Sequence, residues 1–134
     1  MKGWYTIEKH DVNQYSPLTL AFLGDAVYEQ LVRERLVLTA NMPVKKLHSA
    51  AVERVRAAYQ SKAVEEITPF LTEEETAVLK RGRNATGNTV PKSSDPLTYR
   101  RATALETLFG YLKLTENYER MVELFDLIWY NTKM

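Results

Sequence analysis

Apolar residues recur at helical spacing along nearly the whole 134-residue chain. Ser16-Pro17 sets a capping residue before a proline suited to the first helical turn. The run Leu18 to Leu38 that follows is apolar almost all round, so this helix is expected in the centre of the fold. Asn41-Met42-Pro43 ends it and starts another, on which Val44, Leu47, Ala51, Val55, Ala58 and Tyr59 repeat until Thr68-Pro69 stops the element. Thr72 and Glu75 have the spacing of a capping box and open a short helix expected to end at Arg81-Gly82. Residues 82–95 then form the one long loop of the pattern. Asp95-Pro96 caps a helix carrying Leu97, Ala102, Leu105, Phe109 and Leu112. A last helix presents Tyr118, Met121, Val122, Phe125, Ile128 and Trp129, a stripe suited to a core or a dimer seam. No alternating strand pattern or repeat interrupts the series. The expectation is an all-α fold, one domain over residues 1–134, with 1–15 as an N-terminal segment.

Composition narrows the chemistry. With 45% apolar and 26% charged residues the chain can bury a core and stay hydrated. It has no cysteine, which excludes disulfides, thiolate metal sites and a cysteine nucleophile. His10 and His48 are too few for a polyhistidine zinc site. A metal would be held by carboxylate oxygens, which points to magnesium or manganese. No apolar run is long enough to span a membrane and no signal-peptide core is present, so a soluble, cytoplasmic protein is expected.

The net charge of +1 conceals an asymmetry. Residues 43–62 hold five Lys/Arg against one acid and residues 80–101 hold six against one, which leaves the rest acidic. Two basic segments on a near-neutral chain can offer a polyanion a landing surface. They can equally pair with acids elsewhere in the fold, and composition does not choose.

Two acids stand alone in apolar surroundings. Asp25 is the sole charged residue between Asp11 and Glu29, and Gly24 beside it weakens the helix, a sign of close approach by something. Burying its carboxylate requires a cation, a donor network or a proton. Glu106 is likewise the sole charge between Arg101 and Lys113. Each has a plain alternative: a buried aspartate bonded to nearby backbone, and a surface glutamate on an amphipathic helix. Both are explained at once if their helices pack and the carboxylates face one divalent cation. Lys80, Arg81, Arg83, Asn84 and Lys92, with Arg100 and Arg101, cluster around the loop, whose Gly82 and Gly87 amides suit phosphate oxygens. Lys45, His48 and Arg56 share a helical face that could extend this track.

These residues carry a resemblance. Phe22-Leu-Gly-Asp-Ala-Val resembles the signature helix of the ribonuclease III family, and Val52-Glu-Arg-Val-Arg-Ala its second conserved helix. Leu79-Lys-Arg-Gly-Arg-Asn-Ala, Pro91-Lys-Ser-Ser-Asp and Leu105-Glu-Thr-Leu-Phe-Gly-Tyr-Leu follow in the family's order, so the likeness covers roughly residues 15–130. The form of the basic loop, and a chain that stops where a double-stranded-RNA-binding domain ordinarily begins, are similar to the mini-ribonuclease III type. Two positions depart from the fuller set of family carboxylates: Ala21 stands where a glutamate is usual, and Thr103 where an aspartate is usual. Only Asp25 and Glu106 match.

The resemblance implies the ribonuclease III helical fold, a homodimer and a magnesium-dependent endoribonuclease that cuts double-stranded RNA. It makes Asp25 and Glu106 the catalytic and metal-binding pair, with magnesium held there or manganese in its place. With that reading, the basic residues already singled out, Lys80, Arg81, Arg83, Asn84, Lys92, Lys45, His48 and Arg56, become the expected RNA-binding set. It further implies a duplex in the large-subunit (23S) ribosomal RNA precursor as substrate, and leaves open whether ribosomal proteins assist; no membrane partner is expected, since no apolar run is long enough to span one. Two other readings remain at this level: a non-catalytic RNA-binding protein on the same scaffold, and a helical dimerisation module whose basic segments pair internally.

Overall fold

Caps and apolar stripes divide the chain into helices. The computed structural model describes residues 9–85, 90–93 and 95–134, and every regular element among them is helical. These are α1 Lys9–Val12, α2 Pro17–Thr39, α3 Val44–Val55, α4 Ala57–Ile67, α5 Glu73–Asn84, α6 Pro96–Leu114 and α7 Tyr118–Asn131, with a 3-10 turn at Thr68–Phe70. Expectations about residues 1–8, 86–89 and 94, Gly87 among them, lie outside the described residues.

The starts follow the sequence signals. Thr72 Oγ1 accepts from the Glu75 amide at 3.1 Å and Glu75 Oε1 accepts from the Thr72 amide at 2.9 Å, the reciprocal bonds of a capping box. Asp95 Oδ2 accepts from the Thr98 amide at 3.0 Å with Pro96 in the first turn. Ser16 also occupies the N-cap of α2, but its side chain makes no capping bond.

The centre belongs to α6 and not, as expected, to α2. From Ala102 to Leu112 every residue of α6 except Glu106 is buried, and α2, α4, α5 and α7 all pack against it. Helix α2 lays only the stripe Leu20, Ala21, Gly24, Val27, Tyr28, Val32 and Leu36 inward. Its other side leaves Phe22 85% exposed, with Leu18, Val37 and Leu38 also in the open. Hydrophobicity on every face of a helix does not say that one chain covers every face.

Two further expectations are corrected. The element drawn from Val44 to Thr68 is two helices, broken at Arg56, whose ψ of 155° is extended. Helix α3 turns Ala51 toward α2, while α4 buries Tyr59, Ala63, Val64 and Ile67 and packs on α6 and α7. A single straight rod could not bury both stripes, so packing overrides the continuous periodicity. Helix α5 does not end at Gly82 but runs on to Asn84. Gly82 is there for closeness: a β-carbon on it would lie 2.5 Å from Thr107 Oγ1.

Several cations serve the fold. Arg120 grips the buried Glu75 through Nε and Nη2, each at 2.9 Å, and donates to the Phe70 carbonyl. Arg54 lies 3.5 Å from the Trp129 ring centroid and donates to the Tyr59 hydroxyl. Arg35 pairs with Asp126, and Arg101 with Glu65 at 2.6 Å.

Candidate active site

The site is built by a crossing of main chains. A β-carbon on Gly24 of α2 would stand 1.7 Å from the Glu106 carbonyl oxygen, and one on Gly110 of α6 would stand 2.0 Å from the Leu20 carbonyl oxygen. With glycine at both points the two helices touch backbone to backbone. This is the close approach that Gly24 foretold. It brings Asp25, the next residue, beside Glu106.

The two acids differ in setting. Asp25 is exposed and Glu106 is half-buried, so the expectation of a buried Asp25 is corrected: α2 rests on α6 through its Gly24 face and leaves its neighbour's side chain at the surface. Burial pushes Glu106 up, and the charge of Asp25 together with a side-chain hydrogen bond to it pushes further, to about 8. The Gln60 amide of α4 acts in the opposite sense and favours the anion. No lysine or arginine figures among the groups acting on Glu106 in the described residues.

Two carboxylates held together without a cationic side chain suit a divalent ion. Among the described residues no group of three or more His, Cys, Asp or Glu gathers in one place. The two carboxylates would fit a hard ion that keeps much of its hydration, as magnesium does. The two positions that depart from the fuller family set are occupied otherwise. Ala21 is buried, and Thr103 is buried with its Oγ1 donating to the Tyr99 carbonyl at 3.0 Å.

The basic residues lie on α5, the turn that follows it, α3 and the break after α3. Lys80, Arg83 and Asn84 are exposed on the last turns of α5, and Lys92 is exposed in the following turn. Arg83 donates to its neighbour Asn84 at 3.3 Å. Arg81 is partly buried and reaches the Asn13 carbonyl at 2.7 Å, so this guanidinium ties α5 to the N-terminal segment. The Gly82 amide lies inside a helix and is no open phosphate cradle. Lys45 and His48 are exposed on α3, and His48 lines a groove with Arg33, Leu36 and Val37 of α2. Arg56 is exposed at the break between α3 and α4 and pairs with Glu53 at 3.2 Å. Gln60 was not foreseen. Its signal was in the sequence, as the polar member of a stripe at 60, 63, 64 and 67.

A family model for the Ribonuclease III domain matches residues 18–117. The chain belongs to the ribonuclease III family. It is 42% identical over 121 residues to the mini-ribonuclease 3 of Thermoanaerobacter sp. strain X514, covering 90% of this chain and 85% of that protein. With the mini-ribonuclease 3 of Symbiobacterium thermophilum it shares 47% identity over 108 residues, 81% of this chain and 83% of the relative. A crystal structure of a protein from Fusobacterium nucleatum superposes with a TM-score of 0.79 at 33% identity, over 89% of this chain and 95% of that one. The family places the chain among ribonuclease III-type endoribonucleases. Helix α7 lies beyond the matched residues, yet Met121, Leu124, Phe125 and Ile128 enter the same core.

The raised Glu106 has a measurable consequence for this ribonuclease III fold. In chelator, the folded chain keeps a proton between the ordinary value of 4.5 and about 8 that the unfolded chain has lost. Stability from this group therefore falls as pH rises through that window and levels off above it. Glu106→Gln is expected to melt with wild type near pH 4.5 and to gain on it steadily, by on the order of 3 kcal/mol above pH 8. Thermal melts across that range, with chelator throughout, check it; a gain independent of pH contradicts it.

Proposed function

We propose that this protein is a magnesium-dependent endoribonuclease for double-stranded RNA that acts as a homodimer on a duplex in the large-subunit ribosomal RNA precursor. The observation that carries the reading is the convergence of Asp25 and Glu106, 81 residues apart in sequence, where Gly24 and Gly110 let α2 and α6 touch. The substrate within ribosomal RNA rests on the family resemblance alone.

Asp25 and Glu106 would hold the ion, which when bound supplies Lewis-acid charge and activates water for attack on a phosphodiester. The residues of the chain have three tasks in that reaction. Asp25 presents its carboxylate from the open side, where RNA approaches. Glu106 presents its own from the half-buried side and gives up its proton to do so. Lys80, Arg83, Asn84 and Lys92 draw the phosphate backbone, since A-form RNA offers proteins chiefly shape, 2′-hydroxyls and phosphates. The apolar side of α2 around Phe22 is the surface a second copy would cover, next to Asp25.

The test is incubation of the protein with a long RNA duplex in magnesium and in chelator, beside the Asp25→Asn variant. Binding that persists without cleavage under every divalent ion would favour the non-catalytic reading. For the basic residues, Lys80→Ala with Arg83→Ala is expected to flatten the dependence of log affinity on log salt by about 1–2, at near one unit per phosphate contact. Turnover at saturating RNA should change little. Arg81 is left in place because its bond to Asn13 would confound binding with stability. An unchanged salt slope removes these two residues from the interface.

A further inference from the structure

Gln60 is a polar residue on the buried stripe of α4 and only 2% exposed. Its Nε2 is buried and has no hydrogen-bond partner. Folds rarely keep a buried amide that way when an apolar side chain of equal size would fill the space. Two other buried hydroxyls without partners, on Tyr28 and Thr132, go with the Tyr59 and Arg54 cluster. Gln60 goes with Glu106, across the packing of α4 on α6.

The choice of residue is informative. A lysine or arginine at this place would neutralise Glu106 and compete with any cation for it. A neutral amide can orient a carboxylate and leave its charge available. Glutamate needs such help, because the rotation of its carboxylate about the last side-chain bond is broad and close to two-fold. Gln60 is close enough to Glu106 to act on its carboxylate, and it does so from the buried stripe of α4, whereas Asp25 is an exposed residue.

We propose that Gln60 is a positioning residue of the active site: its Nε2 donates to one Glu106 oxygen and so turns the other toward Asp25, setting both carboxylates on a shared divalent cation. This rests on the magnesium-dependent reading above. The step is a reorientation, and no bond other than the hydrogen bond is formed or broken. Outer partners of metal-binding side chains typically alter metal affinity by 10- to 100-fold.

Gln60→Met and Gln60→Leu keep most of the volume and remove the donor. Both are expected to melt no lower than wild type by more than a few degrees, since they also remove an unsatisfied amide. Manganese binding to the RNA-free protein, read by electron paramagnetic resonance, should weaken at least tenfold. Cleavage at saturating RNA should fall in step at low magnesium and recover as magnesium is raised, with RNA affinity in chelator unchanged. Manganese affinity within twofold of wild type in either folded variant overturns the proposal. Should both variants fail to fold, the Gln60 side-chain amide resonance of wild type decides. Movement on adding magnesium alone supports the role, and a signal that stays put rejects it. The same titration on Asp25→Asn separates the two claims. If Asp25→Asn loses manganese and Gln60→Met keeps it, only the role of Gln60 is wrong; if Asp25→Asn keeps it too, the site reading itself is wrong.

Discussion

Asp25→Asn is expected to lower cleavage of duplex RNA by at least about a thousandfold, or roughly 4 kcal/mol of transition-state stabilisation. The substitution keeps the shape of the side chain and removes its charge. Asp25 is exposed and stands outside the buried core, so folding should be indifferent to the change. Stability in chelator should even rise slightly, because the charge that opposes ionisation of Glu106 is gone. RNA affinity in chelator should hold, since carboxylates do not attract phosphate. That combination, a dead enzyme with an intact fold and intact binding, separates a chemical role from a structural one. Cleavage within tenfold of wild type, measured at saturating duplex and magnesium, would falsify the assignment of Asp25.

Gly24→Ala is expected to have the second large effect, and here two physical terms carry opposite signs. Helix propensity favours alanine over glycine by about 1 kcal/mol inside a helix, which taken alone predicts a more stable protein. Packing says otherwise. The new methyl would lie 1.7 Å from the Glu106 carbonyl oxygen and 2.8 Å from the Gly110 nitrogen, both main-chain atoms. No side-chain rotation relieves that overlap, so α2 and α6 must separate along their largest contact. Overpacking of this kind costs on the order of 3–5 kcal/mol, which outweighs the propensity gain several times over. A fall in melting temperature of roughly 10 °C or more follows, or failure to fold. Gly110→Ala should behave alike, with the Leu20 carbonyl oxygen 2.0 Å from its β-carbon. A rise in melting temperature for either variant would show that the crossing has slack.

What the sequence made legible and what it hid follow from the same physics. Caps are local, so Thr72 with Glu75 and Asp95 with Pro96 were readable and stand where they were expected. The two isolated acids were readable because charge amid apolar residues requires a reason, and Gly24 announced the contact that joins them. Which of the two is buried was not readable: it depends on the rotation of α2 against α6, a property of the pair and not of either helix. The break at Arg56 was invisible for a related reason, as periodicity continues through it while the packing partner changes from α2 to α6. Gly82 was misread as a terminator because glycine at a helix end and glycine at a helix contact look alike in one dimension. Arg81 looked like part of a basic surface, and only the fold discloses that Asn13 holds it.

The continuation of α5 past Gly82 has a consequence for the proposed RNA contacts. The single Thr107 hydroxyl proton is shared between the Thr103 carbonyl at 2.8 Å and the Pro17 carbonyl at 3.2 Å, and Oγ1 sits against Gly82. Glu106 is its immediate neighbour, while Lys80 and Arg83 flank Gly82. On the roles proposed above, grip and blade would be bolted to one joint of three rods, like a stop fixed to the bed of a saw. A duplex seated against the basic end of α5 would meet the carboxylates at a constant offset, so the length of each product end becomes a dimension of the frame.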